Sequence, residues 1–287
     1  MPRSGTTVLF EIFASHSSVG WISSHQSRFP AWPGLAVTNR IVRRVPALRK
    51  RRRLSDEEHG LLERFRDGPA ESYAFWELHL GVRFRTHWML GERPDPTQVE
   101  STRAAVVRLL RWQGHRHLTA KFTGPPRIEV LHTCFPDALF VHVVRNPHAV
   151  VASLLEVDFW RERGLDAPYW EEGLHAADLA QWEECRRSPA ALAALQWRKV
   201  VQSAREESER VGAHLLEIGY EDFLRAPEAE IGRITSAAGL PHDPGVSSSI
   251  ARARLRADRN ERFRIRLTAD EIAMIDEIVD VVRSPAR

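Results

Sequence analysis

The feature that most restricts this chain is a nearly all-apolar run, Ala138 to Val144, ending on Arg145-Asn146-Pro147. Bounded upstream by the Phe135-Pro136-Asp137 break, it suits a strand buried on both faces, as in the middle of a parallel sheet. Asn146 supplies an N-cap and Pro147 a first-turn proline, so a helix should follow at once, carrying Val150, Val151, Ser153 and Leu154. Arg145 then stands at the carboxyl end of a strand, where open α/β sheets place their ligands.

The rest of the chain alternates in the same way. His117 to Phe122 reads as a short buried strand, followed by the turn Thr123-Gly124-Pro125-Pro126 and a helix through Ile128, Val130 and Leu131. Leu215 to Ile218 reads as a further strand leading into Tyr220-Glu221-Asp222-Phe223. Helical spacing marks Thr97 to Trp112, two helices divided at Ser188-Pro189 between Tyr169 and Val211, Ala229 to Leu240, and a last helix capped by Thr268. Ser55-Asp56-Glu57-Glu58 is another helix start. Gly20 to Pro30 reads as strand or loop, because Pro30 and Pro33 oppose a helix. The aromatic stretch from Tyr73 to Trp88 suits core better than a binding platform. With no internal repeat, the pattern predicts one domain over residues 1–287, an α/β fold with helices on both faces of a parallel sheet.

The second strong feature opens the chain. Pro2-Arg3-Ser4-Gly5-Thr6-Thr7 precedes Val8, Leu9, Ile12 and Phe13 at helical spacing. A glycine turn feeding a helix gathers unpartnered N–H groups and the positive dipole end at one point, which suits phosphate or sulfate. Arg3 adds a fork of donors, and Ser4, Thr6 and Thr7 add hydroxyls. An ATP or GTP loop would need a leading glycine and a lysine, and neither is present. A loop of this kind normally follows a buried strand. Here it stands at Met1, so either that first strand is missing from this chain or another segment fills its slot.

Composition narrows the class further. With 43% hydrophobic and 28% charged residues over 287 positions, the chain is of ordinary globular composition. Lys50, Lys121 and Lys199 are its lysines, so the positive charge is nearly all arginine. The arginine bias suits anion handling, although GC-rich coding would produce it too and is the simpler cause. Cys134 and Cys185 fit neither a disulfide framework nor a metal knuckle, His115 and His117 are too close for the usual zinc spacings, and no metal is expected. No apolar run approaches a membrane span and no signal peptide is visible, which points to the cytoplasm while leaving open an extension ahead of Met1. The basic run Arg40, Arg43, Arg44, Arg49, Lys50, Arg51, Arg52, Arg53 reads as a solvated helix end or a docking face for an anionic acceptor or membrane surface; nucleic acid is not expected.

Two anion sites at strand ends, the Arg3–Thr7 cradle and Arg145 with Ser153 on the next helix, suggest a ligand with phosphates at both ends. This combination resembles the sulfotransferases that use 3′-phosphoadenosine 5′-phosphosulfate. Their 5′-phosphosulfate loop, Pro-Arg/Lys-Ser-Gly-Thr-Thr before a helix, is matched by Pro2 to Thr7. Their 3′-phosphate element, a strand then Arg-Asp/Asn-Pro and a serine eight residues after the arginine, is matched by Arg145, Asn146, Pro147 and Ser153. FPDALFVHVVRNP, Tyr220-Glu221-Asp222-Phe223 with its later proline, and Lys121-Phe122-Thr123-Gly124-Pro125-Pro126 are similar to the bacterial branch. The resemblance covers Met1 to about Pro241 and implies the P-loop-like sulfotransferase architecture, a three-layer sheet flanked by helices.

It also implies roles. Arg3 and the amides of Ser4, Gly5, Thr6 and Thr7 would hold the 5′-phosphosulfate, with Lys121 donating to the leaving oxygen. Arg145 and Ser153 would grip the 3′-phosphate, assisted by Arg259 or Arg262, and Tyr220 would line the adenine end. The cytosolic members' Lys-Thr/Ser-x-His is absent, since Phe122-Thr123-Gly124 follows Lys121. The glutamate base of tyrosylprotein sulfotransferases has no counterpart in Ser23-Ser24-His25. His25 and Glu77 are the candidate bases. The expected acceptor is a hydroxyl of a glycan, a lipid headgroup or a small molecule. A nucleotide kinase and a non-catalytic binder of adenosine 3′,5′-bisphosphate are the competing readings.

Overall fold

The computed structural model describes residues 1–45, 48, 67–162, 165–170, 172–253, 255 and 260–283. The helix start at Ser55, the last five residues of the basic run (Arg49, Lys50, Arg51, Arg52, Arg53) and Arg259 lie outside the described residues.

Among the described residues four strands carry the fold: β1 (Val19–Trp21), β2 (His117–Thr119), β3 (Leu139–Val144) and β4 (His214–Gly219). They pair as two ribbons, β1 with β2 and β3 with β4, each in parallel register. His142 therefore faces Glu217 across β3 and β4, and Nδ1 of the imidazole lies 3.0 Å from the carboxylate. That hydrogen bond, with help from Arg205, pulls the Glu217 carboxyl down to about 2 against the opposing effect of burial.

Between β2 and β3 lies a cavity of about 640 Å³, lined by Leu118, Phe140, Val141, Val143, Leu9 and Met1 among others. Met1, Thr6 and Leu9 bring the start of the chain onto its wall. The cavity also explains why β3, apolar apart from His142, is only half-buried at most positions. A strand expected in mid-sheet has a neighbour on one edge and open volume on the other.

Helices close both faces. Pro189–Val211 is capped by Ser188 and buries Leu192, Leu195, Val200 and Val201 against Val150 and Leu154 of Pro147–Leu154 and Ile275 and Ile278 of the last helix. The aromatic stretch is core as its composition implies, with Phe75, Trp76 and Phe84 packed beneath Pro96–Gln113. A third cluster joins the first helix, α1 (Thr6–Phe13), to β3 and β4 through Leu9, Ile12, Val143 and Ile218.

Residues 20–30 differ from expectation. After β1 the chain forms a short helix, Ser24–Arg28, because the Ser23 side chain accepts from the Gln26 amide and caps it. It ends before Pro30, and Pro33 opens a 3-10 turn at a position where its missing N–H costs nothing. Arg43, read as part of a solvated or docking run, instead points inward. It donates to Asn39 and to the carbonyls of His16, Ala14 and Val19.

Candidate anion-binding site

The carboxyl ends of β2, β3 and β4 converge on the loop ahead of α1. Arg3 (φ 65) and Gly5 (φ 78) both take the left-handed conformation, which curls the loop so that α1 begins at Thr6. Gly5 is the N-cap, and no side chain caps the helix. The amides of Val8 and Leu9 both reach the Gly5 carbonyl, leaving the first-turn amides ahead of them without helical acceptors. Tyr220, directly after β4, lies against Gly5 so closely that a Cβ there would overlap its ring. Glycine is required at this position both by its φ and by its neighbour.

Within this loop Ser4 is fully buried and its hydroxyl has no hydrogen-bond partner. Such an orphan costs about 1–3 kcal/mol unless something accepts from it. Lys121, buried at the end of β2, donates from Nζ to Thr7 Oγ1 at 2.8 Å. Uncapped amides and an orphaned hydroxyl on one loop, with an ammonium group bonded to it from the end of β2, form a donor set to which a phosphosulfate is chemically matched.

Arg145 follows β3 and is buried. Its Nη1 donates to the Arg3 carbonyl at 2.6 Å and its Nε to Asn260 Oδ1 at 2.9 Å, while the guanidinium lies 4.9 Å from the centre of the Tyr220 ring. Asn260 passes the chain on to Glu221, whose Oε1 also accepts from the Asn146 amide at 3.0 Å. Arg3 Nε in turn donates to Ser153 Oγ at 2.8 Å. Arg3, Ser4, Gly5, Thr7, Lys121, Arg145, Ser153 and Tyr220, read from four separate stretches of sequence, thus belong to one cluster. Thr6 lines the adjoining cavity. Arg262 sits two residues past Asn260 in the 3-10 turn Arg262–Ile265.

The two candidate bases occupy separate settings. His25 Nδ1 lies 3.1 Å from Asp67, a buried carboxylate that also accepts from Thr38 and the Gly68 amide. Glu77 pairs with Arg85 at 2.6 Å. A carboxylate that the sequence did not single out, Glu71, lies 2.5 Å from Lys121 Nζ and accepts from Thr123 Oγ1 at 2.8 Å. Glu71, Asn260 and Glu221 were missed for one reason. Each sits beside a motif residue in space but carries no motif spacing of its own, although Glu221 follows Tyr220 directly in the Tyr-Glu-Asp-Phe match. Among the described residues no three His, Cys, Asp or Glu side chains gather as metal ligands, and no helix is long and apolar enough to cross a membrane.

A parallel α/β fold with an arginine-bearing loop before its first helix and an Arg-Asn-Pro element after β3 is of the P-loop-like kind. Residues 1–244 match the model of the sulfotransferase family, and the chain belongs to that family. Among solved structures it is similar to sulfotransferase STF9 from Mycobacterium avium, with a TM-score of 0.55 and 20% identity over 98% of this chain and 74% of that one. The sulfotransferase domain from the curacin biosynthetic pathway matches with a TM-score of 0.54 and 14% identity, covering 100% of this chain and 96% of that one. The corresponding domain of the Synechococcus PCC 7002 olefin synthase matches at 0.50 and 17% identity, covering 100% and 93%. At these identities the likeness is one of fold. No curated protein matches the chain.

Proposed function

We propose that this sulfotransferase moves the sulfuryl group of 3′-phosphoadenosine 5′-phosphosulfate to a hydroxyl acceptor. The observation that carries the reading is the double hold on Arg3: its side chain is bonded to Ser153 while its carbonyl is held by Arg145. The loop suited to a phosphosulfate and the element suited to a 3′-phosphate are therefore within reach of one nucleotide. The α1 amides, Ser4 and Lys121 would hold the 5′ end and face the charge that grows on the leaving oxygen. Arg145 and Ser153 would hold the 3′-phosphate, and Tyr220 would flank the adenosine. Sulfuryl transfer, like phosphoryl transfer, asks a protein mainly for positioning and for charge stabilisation, and this cluster is equipped for both.

The acceptor is a small molecule, a glycan or a lipid headgroup. Incubation with donor radiolabelled in sulfur and a panel of phenols, alcohols and sugars tests the reading. Labelled product that depends on Lys121 and Arg145 supports it. Labelling only from ATP carrying a labelled terminal phosphate would replace it with a kinase.

A further inference from the structure

We propose that Glu71 is the catalytic base that takes the acceptor's proton, an assignment that rests on the donor reading above. Glu71 is joined to the anion loop through one residue. Its Oε1 lies 2.5 Å from Lys121 Nζ, and the same nitrogen donates to Thr7 Oγ1 at 2.8 Å. An ammonium has three donors, so the third remains for the leaving oxygen while Lys121 keeps both other contacts. The carboxylate side chain is 31% exposed, whereas Lys121 beneath it is 10% exposed. The carboxylate is thus the more accessible partner of the pair, within reach of an acceptor that comes from solvent.

The local backbone fixes it there. Ser72 takes φ 55, uncommon for a residue with a Cβ, and ends the extended segment just before the Tyr73–Leu80 helix. Tyr73 then bonds through its hydroxyl to both the amide and the carbonyl of Thr123 at 2.9 and 2.6 Å. Thr123 itself donates to Glu71 Oε2. The segments 71–73 and 121–123 are stitched together at both ends, which holds the carboxylate to one orientation. The charged and titratable groups facing it are Lys121, the Met1 amine and the Tyr73 phenol. Burial, and then Glu71 itself, push that phenol up, so it remains a neutral donor.

The step balances without another reagent. As the acceptor oxygen bonds to sulfur, its proton passes to Glu71. The bond from sulfur to the 5′-phosphate oxygen breaks, and its electron pair leaves on that oxygen, facing Lys121. His25 is held by Asp67 and Glu77 by Arg85, and neither pairing runs through the cradle lysine.

The test compares wild type, Glu71→Gln, Glu71→Asp and His25→Asn. Turnover of sulfur-labelled donor is followed with the hydroxyl panel and with water as the acceptor, and adenosine 3′,5′-bisphosphate binding is followed by thermal shift. Glu71→Gln should lose about 100-fold or more in turnover and the acidic limb of the pH profile. It should bind the nucleotide as tightly as wild type or tighter, because a negative neighbour of Lys121 has gone; a merely structural role would weaken binding instead. Glu71→Asp should recover part of the rate, and His25→Asn should keep the limb. A Glu71→Gln enzyme with normal turnover and an intact limb overturns this assignment alone, as does loss of the limb in His25→Asn. Absence of nucleotide binding in wild type overturns the donor reading and the base with it.

Discussion

Arg145 donates a hydrogen bond to the backbone carbonyl of Arg3, 2.6 Å away across 142 positions of sequence. The residue that closes β3 thereby fixes the shape of a loop from the other end of the chain. That loop has two left-handed residues, so it is a conformation that needs outside support. Arg145 is part of the support.

Gly5 tests how tightly the loop is specified. In Gly5→Ala the new Cβ would have to share space with the Tyr220 ring at a φ of 78. The φ alone should cost about 1 kcal/mol, and displacing the ring adds to it. We expect a lower melting temperature and at least tenfold weaker adenosine 3′,5′-bisphosphate binding. The double variant Gly5→Ala/Tyr220→Ala should recover part of the stability without recovering the binding. A melting curve unchanged in Gly5→Ala would show that the loop is not held as described.

Glu207 gives a pH prediction. Burial, outweighing the Glu129 amide and Arg127, raises its carboxyl from 4.5 to about 7. A raised folded-state value means a stabilising contribution that is full below pH 4.5 and fades as pH climbs through about 7. In Glu207→Gln the side chain stays neutral, so its urea-unfolding free energy should change less between pH 5 and 8 than that of wild type. Parallel profiles for the two proteins would contradict this.

The cavity between β2 and β3 gives a third. Both facing edges lack a strand partner there among the described residues, and Met1 lies on the lining. The Met1 amine, desolvated and close to Lys121, is driven down to about 5. Fusing a Val/Ile-rich segment of about six residues ahead of Met1 should place a parallel strand in the gap. Each apolar side chain buried contributes about 1.5–3 kcal/mol, against about 1–2 kcal/mol per residue for ordering the backbone. A rise of several degrees in melting temperature is expected, and a Gly/Ser segment of equal length should give none. Equal effects from both fusions would show that the gap does not take a strand.

Much of this was legible before any coordinates. Ala138–Val144 and Pro2–Thr7 each couple a strong periodic signal to a turn, so their elements and their meeting point could be read from spacing. What escaped depends on contacts made at long range. Glu71 has no motif spacing to Lys121 in sequence; contacts such as the hydroxyl of Tyr73 reaching Thr123 bring the two segments together. Asn260 lies in an arginine-rich stretch with no periodicity, and its function appears only as the link between Arg145 and Glu221. Ser23 was visible, but its capping of a helix as short as Ser24–Arg28 is decided by neighbours, since an isolated turn has too few bonds to persist.

The most direct measurement is calorimetric titration with adenosine 3′,5′-bisphosphate and with adenosine 5′-monophosphate, which differ only in the 3′-phosphate. A charge-assisted hydrogen bond contributes about 1.5–3 kcal/mol, so the bisphosphate should bind roughly 10- to 100-fold tighter to wild type. Arg145→Ala should lose most of that difference. Equal affinities for the two nucleotides in wild type, or a preference that survives in Arg145→Ala, would contradict a site that holds one nucleotide by both ends.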